Sequence, residues 1–320
     1  MLNFINDKAI DQALIASALE QGYPGVLYSA ANLEYLLSRQ TIDELKHTTC
    51  SIVTSNGALT LIGTIDGENC HSYVGIIPSL LIKNPGSANE QIIDGLYEIL
   101  SSGLAENWKL RMNHDLLSNF FEAAKKSKKV YINDFSVQAT NIVSLDSDYL
   151  YESKFRSGLK IGIKNSEKIM IVRSYISKSV EAEIFSEFRN LYESESGGRA
   201  KISDHSWIIL QKHIIEGNSM LTCGYVGSEL VGAALINILG TNAYYSMGVS
   251  KRDKHPLSIS HLILRDAMRE LLKINVNSLE VGEVWSSKSR TMKIKGIEEF
   301  KSSFKGEQIF IHNFEIAINS

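Results

Sequence analysis

Between residues 219 and 250 three strand-like runs follow one another with barely a break: MLTCGYVG, ELVGAALINIL and NAYYSMGVS. Gly227-Ser228 falls where a short hairpin turn is wanted, so the spacing predicts strands that fold back on each other. Helical periodicity surrounds them. Residues 178 to 195 and 204 to 216 read as helices, the second opening at an N-cap in Ser203-Asp204. After the strands, LSISHLILRDAMRELLKI (257 to 274) follows Pro256 and sets Leu262, Ile263, Ala267, Leu271 and Leu272 on one stripe. A strand LEVGEV, a basic helix at about 287 to 304 and a terminal strand QIFIHNFEIAI complete the order. Such an order predicts the α+β class, with mixed, mostly antiparallel sheets flanked by helices.

The first half carries the same theme less sharply. Residues 8 to 20 have helical spacing, and SIVTSNGALTLIGTI (51 to 65) reads as a hairpin turning at Asn56-Gly57. A run HSYVGIIP follows, then amphipathic helices at about 88 to 103 and 114 to 127. The second ends in Lys125, Lys126, Lys128 and Lys129, which reads as a solvated helix end favoured by the macrodipole. At roughly 100 to 200 residues per domain, a chain of 320 residues suggests two, taken here as 1 to 150 and 151 to 320.

Composition narrows the function classes. A net charge of −3 argues against a protein that coats nucleic acid through bulk charge, and no DNA partner is expected. Cys50, Cys70 and Cys223 are too few and scattered for a disulfide framework or a metal site, and they suit a reducing cytoplasm. Asp7, Asp11 and Glu20 interrupt the N-terminal apolar positions as a signal peptide would not tolerate, and no integral membrane segment is expected. Any membrane work would be done from the surface. The eight histidines are dispersed, and the chain has no Gly-x-Ser-x-Gly elbow and no metal-spaced cluster.

Specific motifs go further. SLDSDYLYESKFRSGLK (144 to 160), GGRAKISDHSW (197 to 207), AYYSMGV, SHLILRDAM, LEVGEV and KGIEEFKSSFKG (295 to 306) succeed one another in the order and at the spacing of the Fem-type acyltransferases. The chain resembles that tandem-GNAT family, which includes the peptidoglycan-bridge peptidyltransferases, most specifically over residues 142 to 306. The resemblance implies two GNAT-like lobes with the ligand cleft at their junction, lined chiefly by the second. It also implies an acyl-CoA or other acyl carrier as co-substrate, with no permanently bound cofactor. Two departures stand out. The pyrophosphate loop should fall at SKRDKHPLS, which has no glycine, and the family's Asp-x-Gly-Gly strand end is here Glu280-Val281-Gly282-Glu283.

Acyl transfer to an amine needs a deprotonated nucleophile held against the carbonyl, a donor for the developing oxyanion and a proton path to the leaving group. Lys301 is the first catalytic candidate, because the family's equivalent lysine lies at the active site. Tyr244 and Tyr245 are neighbours on one strand, so only one faces the site; Tyr245 is taken as catalytic and Tyr244 as binding. Glu283, at a strand end, is the general-base candidate. Arg156, Arg199, Arg290 and Lys295 are the candidate anion binders, arginine being suited to phosphate through its planar fork. Ser246, Gly248, Trp207 and His261 complete the binding set, although a tryptophan at a helix start and a histidine among apolar residues both also suit a core.

The leading expectation is an N-acyltransferase that loads the amine of an amino sugar or cell-envelope precursor. An aminoacyl-tRNA-dependent peptidyltransferase is the second reading, weakened by the absence of a long charged helical hairpin. A non-catalytic binding protein that retains the fold is the third.

Overall fold

The computed structural model describes residues 3–5, 32, 34, 35, 38, 48–56, 58–66, 68–72, 80–82, 87–103, 105–127, 130–146, 157–177, 180–195, 202–251, 258–288 and 291–318. The chain divides into two compact units. The first comprises Met1–Thr140, Trp285–Thr291 and Gln308–Ser320; the second comprises Asn141–Val284 and Met292–Glu307. The helix expected at residues 8 to 20 lies outside the described residues.

In the first unit, β1 (Asn3–Ile5), β2 (Thr48–Val53), β3 (Leu59–Asp66) and β4 (Asn69–Ser72) pair antiparallel in sequence order. The turn at Asn56 joins β2 to β3 as the sequence predicts, and β5 (Leu80–Ile82) pairs with β3. Helix α1 (Asn89–Leu100) then carries the chain to β6 (Asn107–Asn113), which lies parallel to β4. Ile92, Leu96 and Ile99 recur at i, i+4 and i+7 on α1 and are buried with Trp108, Leu110 and Met112 of β6. Helix α2 (Leu117–Ser127) adds Phe120 and Ala123 to the same core. β7 (Val130–Ser144) is long enough to serve both units, its residues up to Thr140 falling in the first. The first unit is not contiguous: β13 (Glu307–Ile318) pairs antiparallel with β6 and buries Phe314 and Ile316 in this core.

The second unit follows the same plan. Helix α3 (Ser157–Glu167) leads into β8 (Met170–Ile176), and α4 (Ala182–Glu195) and α5 (Asp204–Ile215) precede β9 (Ser219–Val226). The predicted N-cap is present, Ser203 Oγ accepting from the Ser206 amide at 3.1 Å. β9, β10 (Glu229–Leu239) and β11 (Asn242–Ser250) form the antiparallel meander. Gly227, at φ +59°, makes the hairpin turn between the first two. Helix α6 (Ile259–Lys273) crosses to β12 (Ser278–Ser286), which runs parallel to β11, and α7 (Met292–Ser302) follows.

β10 is apolar on both faces because it is the central strand and is covered on both sides. Gly224 and Gly232 let α6 approach closely, since a Cβ on Gly232 would come within 2.7 Å of Ile259 and one on Gly224 within 2.9 Å of Ile263. The buried Arg265 of α6 is paired with Glu167 at 2.5 Å and Asp266 at 2.6 Å. Among the described residues no helix is long and apolar enough to cross a membrane.

Candidate functional site

Several of the candidate residues named from the sequence lie in the second unit, near where β11 and β12 part. These parallel strands pair only through Asn242↔Ser278, Ala243↔Leu279 and Tyr244↔Glu280. Just past the last pair, β11 carries a bulge. Its register with β10 steps from Ile236↔Tyr245 to Leu235↔Met247 and leaves Ser246 as the extra residue. A bulge resets the alternation of faces. The Tyr245 ring consequently lies across Gly248, its hydroxyl in the space that a Cβ there would occupy. Tyr244, one residue earlier, stands on the opposite face from Tyr245.

On β12 the matching irregularity is Gly282, at φ +87°, a conformation that a residue with a Cβ enters only under strain. The space left by its missing side chain is filled by Lys301 of α7, whose Nζ lies 2.6 Å from where a Cβ would be. Lys301 is half-buried, and so is Glu283, the next residue along β12. Buried Glu280 is the register partner of Tyr244.

Helix α7 is held so that Lys301 reaches this point. Phe304 is fully buried and Phe300 packs against the same core, their rings 5.4 Å apart at 81°. His261 of α6 fits between them, edge-on to Phe300 at 4.7 Å and stacked on Phe304 at 5.6 Å, and its Nε2 meets Ser303 Oγ at 3.0 Å. The Tyr245 ring completes the group, 6.3 Å from Phe300. At the helix's end, the buried Asn141 donates from Nδ2 to the Phe304 carbonyl at 2.5 Å and, more weakly, to the Lys301 carbonyl at 3.4 Å. Helix C-terminal carbonyls lack intrahelical donors, and this amide supplies one.

Of the residues named from sequence, Tyr245, Gly248, His261, Glu283 and Lys301 are thus brought to one neighbourhood, with Ser246 at the bulge. His261 packs against α7 and is a hydrogen-bond partner of Ser303 there. Trp207 corrects an expectation. It is 1% exposed, ringed edge-on by Phe185, Phe188 and Tyr192, with the Arg189 guanidinium 5.8 Å from its ring, so it has no face to offer a substrate. Lys288 pairs with Asp134, Lys295 is exposed and Lys301 turns inward. Arg156, Arg199 and Arg290 lie outside the described residues, as does most of SKRDKHPLS.

Sequence reasoning missed Gly282 and Asn141. An isolated glycine inside the strand pattern LEVGEV is a sign of close approach, so Gly282 had a signal. Asn141 had none, because what it holds lies some 160 residues away in sequence. Burial closes off thiol chemistry at Cys223, pushing its pKa up to about 12.

A meander, a helical crossover to a parallel strand that splays from its neighbour, and the repetition of this unit define the tandem-GNAT, Fem-type fold. Comparison with solved structures bears this out. The chain is similar to the crystal structure of FemX, with a TM-score of 0.64 at 12% identity over 97% of this chain and 96% of that one. It is similar to a tandem GNAT protein from the clavulanic acid biosynthesis pathway, with a TM-score of 0.52 at 13% identity over the whole of both chains. The L-PGS structure from Bacillus licheniformis gives a TM-score of 0.55 at 14% identity over 91% of this chain and 92% of that one. No family model and no curated protein matches the sequence.

Proposed function

We propose that the protein is an N-acyltransferase whose second unit carries the chemistry. It moves an acyl group from acyl-CoA or an acylated carrier protein to the amine of an amino sugar or related cell-envelope precursor. The observation that supports this most is the Lys301 ammonium set against Gly282, beside the point where β11 and β12 separate. A fixed positive charge in a half-buried place is what a developing oxyanion requires.

In the reaction, the neutral amine attacks the acyl carbonyl carbon, an N–C bond forms, and the C–S bond of a thioester or the C–O bond of an ester breaks. Lys301 stabilises the negative charge that gathers on the carbonyl oxygen. Glu283 accepts the proton shed by the amine nitrogen, the Tyr245 hydroxyl gives a proton to the departing thiolate or alkoxide, and the proton held by Glu283 passes through solvent to restore Tyr245. Because the amine itself is the nucleophile, no nucleophilic side chain is needed.

SKRDKHPLS lacks the glycines with which backbone amides ordinarily cradle a CoA pyrophosphate, so the test includes donors besides CoA, and aminoacyl-tRNA is the second reading. The test offers purified protein acetyl-CoA, longer acyl-CoAs, acylated carrier protein and aminoacyl-tRNA in turn, each with an amino-sugar library, and follows acylated amine by mass spectrometry. Amide product from a thioester donor, abolished in Lys301→Met, is the expected result. Product from aminoacyl-tRNA alone would transfer the assignment to peptidyl transfer, and product undiminished in Lys301→Met would overturn the role given to that residue.

A further inference from the structure

Lys125 and Lys126, in the last turn of α2, have no part in this chemistry, yet exposed aromatic rings lie in the same unit. Four aromatic rings stand open there: Phe121 at 45% exposure, Tyr131 at 53%, Phe135 at 45% and Phe310 at 43%. They share one side. Phe121 and Phe135 both touch Phe314, at 5.8 Å and 4.8 Å. Phe310 alternates with His312 and Phe314 on one face of β13, and Tyr131 with Phe135 on one face of β7. Isolated exposed rings are ordinary, whereas a contiguous group marks a surface that meets something.

Charge indicates what it meets. Lys125 lies one turn along α2 from Phe121, on the same exposed face, and Lys126 follows it, 51% exposed and reaching Asp94 at 2.6 Å. From residue 121 to 132 the sequence carries four lysines against the single acid Glu122. A second copy of the chain is a poor occupant, because a two-fold contact would set these lysines against their own copies. An anionic lipid surface suits both features at once: aromatic rings settle at the headgroup boundary and lysines are drawn to the negative leaflet.

We propose that this face of the first unit, formed by Phe121, Tyr131, Phe135 and Phe310 with Lys125 and Lys126 beside them, docks the protein peripherally on an anionic membrane. The claim is independent of the acyl-transfer reading, since it concerns residues of the other unit.

Sedimentation of the full chain with vesicles tests it, using phosphatidylcholine alone and phosphatidylcholine mixed with phosphatidylglycerol. Binding to the mixed vesicles, reduced by salt, and little binding to the neutral ones is the expected result. Lys125→Gln should weaken binding by about fivefold, the effect of one lysine near such a surface. Phe121→Ser with Phe135→Ser should abolish the binding measurable at the same lipid concentration. Both rings touch Phe314, so Tyr131→Ser serves as the second apolar variant, and circular dichroism confirms that each variant is folded. No binding to anionic vesicles at low salt would overturn the proposal. So would unchanged binding in the folded aromatic variants, or concentration-dependent dimerisation without lipid that the same variants abolish.

Discussion

The two units repeat one plan and differ at one place that matters. Each has an antiparallel meander, β1 to β4 in the first and β8 to β11 in the second, and then a helical crossover to a parallel strand held by only three residue pairs. In the second unit, two residues beyond the last of these pairs, β12 has Gly282 and the Lys301 ammonium fills its missing side chain's place. At the same count beyond the pairs in the first unit, β6 has Arg111. By that count, a residue with a long side chain corresponds to the glycine that leaves room for a cation in the second unit. The two units therefore differ in the feature to which the proposed chemistry is assigned, in keeping with function residing in the site rather than in the fold.

Paired core deletions put the comparison to its hardest test. Phe314 and Phe304 are each essentially fully buried, one in each unit's core. Each change to alanine should cost about 3–5 kcal/mol, read as a fall in denaturation midpoint. Only Phe304→Ala should also lower turnover per folded molecule, because the Phe304 ring packs against Phe300 and His261 and so holds α7 in place. Equal loss of turnover in both would break the distinction between the units.

Lys301→Met comes next in size. If the ammonium stabilises charge that arises only in the transition state, turnover should fall roughly tenfold to a thousandfold with donor affinity and stability little changed. Arg111→Met should leave turnover where it is. A larger effect from the Arg111 change would reverse the assignment of the active unit.

Gly282→Ala sharpens the argument because strain and displacement can be separated. Placing a Cβ at φ +87° costs about 1–2 kcal/mol, and here it also meets Lys301 Nζ. Gly227 has φ +59° with nothing within 4 Å of the place a Cβ would take, so Gly227→Ala should lose stability by strain alone and keep its turnover. Should both glycine variants keep normal turnover, the contact between Gly282 and Lys301 is incidental.

How much of this was legible in the sequence follows from the range of each interaction. The meander of the second half was readable because hairpin turns and strand patterning are local, and Ser203 announced its helix in the same way. In KGIEEFKSSFKG the spacing of Ile297, Phe300 and Phe304 at i, i+3 and i+7 is itself local and sets them on one face with Lys301 at its margin. The bulge at Ser246 could not be read, since a single unpaired residue leaves no mark on a nine-residue apolar pattern. Nor could the return of β13 to β6, where strands close in space are separated by most of the chain. Trp207 misled because an aromatic at a helix start looks the same whether it faces solvent or, as here, three other rings.

The smallest effect concerns protons, and it too should separate the units. His312 of β13 is buried beside His114, its Nε2 2.9 Å from His114 Nδ1, and is stacked on Phe135. Burial first, and then the neighbouring imidazole, push its pKa below the ordinary histidine value. Above that ordinary value neither the folded nor the unfolded chain binds a proton here, and stability does not change with pH through this group. As pH falls through about 6.5, the unfolded chain takes up a proton that the folded ring refuses. Stability drops over that interval and levels off below the depressed folded value. Denaturation midpoints measured between about pH 8 and about pH 5 should show this loss in the wild type and a flatter profile in His312→Gln. Hydrogen exchange, corrected for its intrinsic pH dependence, should locate the loosening in β6 and β13 and leave β9 and β10 protected. Equal loosening of both sets of strands, or an unchanged profile in the variant, would show that this histidine does not set the acid sensitivity of the first unit.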